Sequence, residues 1–236
     1  MESGIRPQTI TTKKVRAMSR PLCFALSVVL LAFSASMAPA SFLFLLPDTT
    51  AGGKFSLVFH STPLTDSPPD GGKLGVQAVT GLSDAGKRTQ VPTQKEVNRT
   101  TAKVDGDTAF TSVDYGVSNR GEGQLVLLRF HAKAQPVGGS AVGQSLELTP
   151  ARTTAGVVFV ATAGGKTLNA ATVTVCEPGG GEPRTVTTDV DGRTPAYSTP
   201  GRYAVRVGRF ETVKGEHEGK AYTGVWEYST LVTTVK

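Results

Sequence analysis

Apolar and polar residues alternate along this chain with a period of two, in short runs separated by turn-forming clusters. The runs Phe42 to Leu46, Phe55 to His60, Leu74 to Val79, Thr108 to Val113 and Gln124 to His131 predict strands. So do Val157 to Ala161, Ala171 to Cys176, Thr185 to Asp189, Tyr203 to Val207 and Tyr228 to Val235. Between them stand Asp66-Ser67-Pro68-Pro69-Asp70-Gly71-Gly72, Asp105-Gly106-Asp107, Gly164-Gly165 and Asp191-Gly192, and no stretch sustains a helical period. Many short strands with Gly, Pro and Asp punctuation predict an all-β protein built of sandwiches. Gly138-Gly139-Ser140, followed by Thr149-Pro150, marks the expected junction, giving two Ig-like β-sandwich domains over 41–150 and 151–236.

Residues 1–40 break the pattern. Arg16 and Arg20 precede the apolar run Leu22 to Phe33, and the small-residue segment Ser34 to Ala40 follows. Basic region, short apolar region and Ala-x-Ala site are the parts of a secretory signal peptide, with cleavage expected after Ala40 and Ser41 as the mature N-terminus. The apolar run would make about 18 Å of helix, short of the ~30 Å hydrocarbon core, so no transmembrane span is expected after processing. Met18 is a second candidate start. The expected location is extracytoplasmic, periplasmic or secreted. Cys23 would leave with the leader, so Cys176 is a small core residue and stability must come from apolar burial rather than a disulfide.

Charge points the same way. The net charge of +6 looks like a nucleic-acid signal until located: residues 1–40 hold Arg6, Lys13, Lys14, Arg16 and Arg20 against Glu2, which is +4 of it. The remainder carries no basic stripe interleaved with aromatics, so no nucleic-acid partner is expected.

In the second half, Gly165 to Val175, then Thr187 to Thr194 with Asp189-Val190-Asp191-Gly192, then Thr199-Pro200-Gly201-Arg202-Tyr203 resemble the Ig-like and carboxypeptidase-regulatory-like sandwiches. There, an Asp-x-Asp-Gly turn precedes a Pro-Gly-x-Tyr corner. Over most of 41–236, Phe42 to Asp48, Tyr115-Gly116-Val117, Leu127 to Ala134, Gly215 to Tyr222 and Tyr228 to Leu231 resemble the nickel-uptake-transporter-like domain-of-unknown-function family. That resemblance implies a secreted or periplasmic two-sandwich protein handling a divalent metal. Ser41 and Glu227 stand where the family commonly carries His.

Chemistry-bearing residues are few. His60, His131 and His217 share no short spacing. The densest set is Glu216, His217 and Glu218 with Glu211 and Glu227 nearby; a hairpin there would let imidazole and carboxylates converge on a divalent transition metal, whereas the plain alternative is a solvated loop. His60 and His131 each end an apolar strand and join a site only if the fold brings them together. Asp189 to Gly192 lacks the outer ligands of a calcium loop and reads as a turn, and Gly81 to Arg88 lacks the strand-to-helix context of a phosphate loop. Gly-x-Ser-x-Gly and His-Glu-x-x-His are absent, so no enzyme is expected. Asn98-Arg99-Thr100 is a glycosylation sequon.

The function these features predict is a non-catalytic exported binding protein, presenting a nickel-like divalent metal or other small ligand to a membrane transporter component. The alternative is a structural or adhesive β-sandwich module that binds protein or glycan at the cell surface, for which an exposed aromatic platform around Tyr222 and Trp226 would speak.

Overall fold

Alternating apolar and polar residues extend the backbone into strands throughout the computed structural model, which describes residues 41–48, 52–65, 69–83, 85–120 and 123–236. The expected signal peptide lies outside the described residues. In chain order the strands are β1 (Phe42–Pro47), β2 (Lys54–His60), β3 (Ala78–Leu82), β4 (Arg88–Pro92), β5 (Gln94–Lys95), β6 (Thr100–Lys103), β7 (Thr108–Asn119), β8 (Leu125–Ala134), β9 (Leu146–Thr153), β10 (Gly156–Ala163), β11 (Lys166–Thr167), β12 (Thr172–Cys176), β13 (Arg184–Thr187), β14 (Gly201–Glu211), β15 (Gly215–His217), β16 (Lys220–Tyr222) and β17 (Gly224–Val235). No helix among the described residues is long and apolar enough to cross a membrane.

These strands form an eight-stranded sheet in the order β13-β12-β14-β17-β8-β7-β3-β4, a four-stranded sheet β1-β2-β6-β5, a three-stranded sheet β11-β10-β9 and the hairpin β15-β16. Successive side chains of a strand point to opposite faces, so adjacent residues of β17 enter different cores. Val232 packs with Leu43, Phe44, Leu57, Val126, Leu128 and Ala204 in one core. Its neighbour Leu231 packs with Leu146, Leu148, Phe159, Tyr203 and Val205 in another. The four-stranded sheet therefore covers one face of the long sheet and the three-stranded sheet covers the other. Strands buried on both faces need near-continuous burial rather than strict alternation, as the run Ser229 to Thr233 displays. Thr230 is accommodated there by donating its hydroxyl to the Leu43 carbonyl at 2.6 Å.

Two cores are present, but the expected boundary at Pro150 does not separate them. Pro150 sits inside β9, opposite Phe159. A proline is tolerated because β9 is the edge of its sheet, and the Pro150 carbonyl still accepts from the Gly138 N–H at 3.1 Å. β17 pairs in parallel with β8 from Gly224↔Val126 to Val232↔Ala134, which ties the C-terminal strand into the N-terminal half.

Local chemistry explains the other departures. Leu74 closes a short 3-10 turn, Gly71–Leu74, because the Asp70 carboxylate accepts from the Gly72 N–H at 2.9 Å and Gly75 reverses the chain at φ 72°. Strand β3 consequently starts at Ala78. The strand expected to reach Asp189 stops at Thr187, since Asp189 Oδ1 accepts from the N–H groups of Asp191 (2.9 Å) and Arg193 (2.8 Å), making the turn expected at Asp191-Gly192. At the Pro-Gly-x-Tyr corner the Tyr203 hydroxyl donates to the Thr199 carbonyl at 2.9 Å while its ring is fully buried. Cys176 is a free, buried thiol in the first core.

Candidate functional site

Cross-strand register assembles the polar groups that matter. Asp114 of β7 lies opposite Arg129 of β8, Arg129 opposite Glu227 of β17, and Glu227 opposite Arg209 of β14. Charges thus alternate along one line across four strands, on the face that also carries Leu231. Arg129 grips Asp114 through two nitrogens, at 2.5 and 3.0 Å, and comes within 3.7 Å of Glu227. Arg209 donates to Glu227 Oε2 at 3.0 Å and to Glu211 at 3.0 Å.

One register step away, Ser112 faces His131. Ser112 Oγ is 2.7 Å from His131 Nδ1, while His131 Nε2 is 3.2 Å from Glu227 Oε1. Ser145, just before β9, donates to the same Glu227 oxygen at 2.5 Å and sits 3.0 Å from Nε2. His131 and Glu227 are each 3% exposed, whereas Ser112 is exposed. Burial alone would raise the Glu227 pKa; the hydrogen bonds from His131, Ser145 and Arg209 prevail and hold it down at about 2. The Arg129 guanidinium likewise lowers Asp114, with His217 and His131 adding smaller attractions.

Beside this network opens a groove of about 500 Å³. Ser112, Asp114, Arg129 and His131 form its sheet wall, and Arg88, Gln144 and Ser145 form the opposite rim. Arg88 is fixed there by the Phe110 ring, 5.6 Å from its guanidinium carbon, and by the Val142 carbonyl at 2.9 Å.

Of the residues expected from sequence to bind metal, the fold unites His131 and Glu227, places His217 close enough to Asp114 to act on its carboxyl, and leaves His60, Glu216 and Glu218 out of that network. His60 lies on β2, where its Nδ1 engages Thr62 at 3.1 Å. Glu216, His217 and Glu218 form a tight hairpin rather than an unstructured loop, with Glu218 at φ 50° and Gly219 at φ 75° in its two-residue turn. Glu216 and Glu218 point outward and are exposed. No group of three or more His, Cys, Asp or Glu placed to hold a metal occurs among the described residues. Ser112, Asp114, Arg129, Ser145 and Arg209 were not singled out by sequence reasoning. One signal could have exposed part of the set: Arg129, His131 and Lys133 alternate within the apolar run Leu127 to Ala134.

The opposite face of the long sheet carries a row of rings. Phe210 of β14 touches Trp226 of β17 (centroids 5.5 Å apart), Trp226 stacks on Tyr228 (5.8 Å, 7° between planes), and Tyr228 stacks on Phe130 of β8 (5.5 Å, 20°). Tyr115, at the β7 bulge, continues it against Phe130 at 6.1 Å. Beneath, Phe42 and Phe59 brace Tyr228 and Phe130 edge-on. The ends stand in solvent, Tyr115 at 52% and Phe210 at 37% exposure; between them Trp226 and Tyr228 are half-buried and Phe130 is buried in the first core. Burial raises the Tyr228 hydroxyl pKa, against the pull of Arg120 and Arg206 nearby.

Fold and site together define an all-β chain of packed sheets with a polar groove on one face and an aromatic row on the other. No family model matches it, and no curated protein matches it. A solved structure, described as a tetra-tandem repeat in the extending region of a large adhesion protein, is similar at 15% identity and a TM-score of 0.23, covering 84% of this chain and 50% of that one. The chain thus spans about half the length of that structure.

The network carries a pH dependence. A carboxyl whose folded pKa is depressed contributes stability above its unfolded value and loses it as pH falls through the folded value. For Glu227 that window runs from about 4.5 down to about 2. Glu227→Gln is therefore expected to flatten the loss of stability across this window, by roughly 3 kcal/mol at most. Urea midpoints from pH 6 to pH 2 for both proteins test it; parallel curves would show that Glu227 is not the group being titrated.

Proposed function

We propose that the chain is an extracytoplasmic β-sandwich binding module of adhesive type, which takes a linear acidic glycan along the rings Phe210, Trp226 and Tyr228, with Tyr115 beyond them. The observation that carries this reading is the row itself. Its accessible part, Phe210, Trp226 and Tyr228, is one ring wide across β14 and β17, with Tyr115 standing in solvent on the far side of the buried Phe130, where lone exposed rings are ordinary but such a line is not. A track of this shape suits a chain of sugar rings, each with an apolar C–H face and a polar rim, better than a protein face, which needs roughly 800 Å² per partner. Arg120, exposed beside Tyr228, favours carboxylated sugars.

The groups expected to hold nickel are better suited to holding one another. Both Glu227 oxygens are committed, to His131 and Ser145 on one side and to Arg209 on the other, and a guanidinium 3.0 Å away competes with any cation.

Trp226 is the sole tryptophan, so its fluorescence reports directly on the row. Titration with polyuronate oligosaccharides should shift or quench that emission. Tyr115→Ala and Phe210→Ala, at the exposed ends, should each weaken binding about 5- to 50-fold, on the order of 1–2 kcal/mol per ring, without moving the melting midpoint by more than a few degrees. Unchanged emission with polyuronates and with neutral glucans alike would remove the proposal.

A further inference from the structure

On the face opposite the aromatic row, the hydrogen-bond pattern around His131 determines where its proton lies. Everything facing Nε2 is an acceptor: Glu227 is ionised, and the Ser145 hydroxyl proton is already given to Glu227 over 2.5 Å. Nε2 must therefore carry a hydrogen, and in the neutral tautomer that this fixes the lone pair lies on Nδ1. In that tautomer Ser112 Oγ, 2.7 Å from Nδ1, is the donor. The arrangement is a hydroxyl, an imidazole base and a buried carboxylate in series, with the hydroxyl on the wall of an open groove and the other two groups inside.

We propose that Ser112, His131 and Glu227 form a nucleophile–base–acid relay that hydrolyses small carboxylic esters in this groove. Ser112 Oγ attacks the ester carbonyl carbon as its proton passes to His131 Nδ1, and the imidazolium is stabilised by Glu227 at Nε2. The ester C–O bond then breaks and the leaving alcohol takes the proton from Nδ1. Water adds to the acyl-Ser112, again giving its proton to Nδ1, and release of the carboxylic acid returns that proton to Ser112. Gln144 Nε2, which donates to the Thr111 carbonyl at 2.9 Å and to Ser112 Oγ at 3.4 Å, would turn the second of these N–H groups to the developing oxyanion. Ser145 is a positioning residue, because its proton is held by the Glu227 carboxylate and the Nε2 that faces its oxygen carries a hydrogen. Sequence motifs missed the set because the three groups come from three different strands, brought together by the register of β7 on β8 and of β8 on β17. A nucleophilic Ser112 departs from the expectation of a non-catalytic chain, and it is independent of glycan binding, which uses the other face.

The test treats the full chain with a fluorophosphonate probe and with p-nitrophenyl acetate. Expected are a single adduct mapped to Ser112 and ester hydrolysis above the buffer rate. Ser112→Ala should lose the adduct, and His131→Gln should reduce the rate by ~100-fold or more. Ser118→Ala, on the same strand and outside the relay, should match the parent chain. Circular dichroism and melting midpoints show that each variant is folded, and Ser112→Cys, which keeps size and position, should be alkylated by iodoacetamide faster than Cys176. A folded parent chain with neither adduct nor hydrolysis, or an adduct that survives Ser112→Ala, overturns the relay. Neither result bears on glycan binding at Trp226.

Discussion

Residues 151–236 produced alone are expected to remain unfolded, although they contain a strand pattern with its own turns. Excision cuts β9 in its middle and removes Leu146 and Leu148, both fully buried in the second core against Phe159 and Tyr203. It also strips β8 from β17 along Gly224 to Val232, leaving a long central strand as an open edge with its backbone groups unpaired. The face that met the four-stranded sheet would be bared too, exposing Cys176, Ala204 and Val232 beside the aromatic row. Two lost Leu side chains alone are worth several kcal/mol, against a total stability that is usually about 5–15 kcal/mol. Circular dichroism of the fragment should show little β signal, and its urea titration no cooperative step, whereas 41–236 should unfold in a single transition. A fragment with its own sharp transition would mean that the shared sheet is not what holds the halves together.

The sequence carried the strands far better than their partnership. Period-two alternation located β1, β2, β8, β10, β12, β14 and β17 to within a few residues, because each has at least one buried face. It overlooked β4, β5 and β6, which are short and lie at or next to sheet edges, where polar residues such as Arg88, Gln90, Gln94 and Lys95 blur the alternation. β9 was hidden by Pro150, a residue that argues for a junction anywhere except on an edge strand. Register is invisible to a local pattern, yet register is what creates both candidate surfaces. Asp114, Arg129, Glu227 and Arg209 are ordinary surface-type residues in sequence, and they become a charge ladder only when β7, β8, β17 and β14 lie side by side. For the same reason Glu227 looked like a companion of His217, ten residues away, while its real partner is His131, 96 positions earlier.

Lys133 shows how much depends on such hidden partners. Read locally, Lys133 is a polar interruption in an apolar strand; in the fold it is fully buried, its ammonium 2.5 Å from a Glu147 carboxylate that is itself 2% exposed. Burial pushes the lysine pKa down and Glu147 opposes that shift. The two partners are not equivalent. Glu147 also accepts from the Val142 N–H at 2.6 Å and the Gly143 N–H at 2.9 Å, whereas Lys133 has only Thr149 Oγ1, at 3.4 Å, as a second contact. Lys133→Met leaves a carboxylate still bonded to two backbone donors, so it should cost near the lower end of the ~3–5 kcal/mol typical of breaking a buried pair. Glu147→Leu strands an ammonium and leaves two N–H groups bare, adding ~1–3 kcal/mol for each unless water reaches them. That sum approaches the stability of a typical domain, so Glu147→Leu is expected to abolish folding at about 37 °C while Lys133→Met lowers the urea midpoint but keeps a cooperative transition. Combining the two substitutions should restore part of the loss, since no charge then stays buried, but not all of it, because Val142 and Gly143 remain unpaired. Equal effects of the two single variants would show that the backbone bonds to Glu147 contribute little and that the ion pair alone sets the cost.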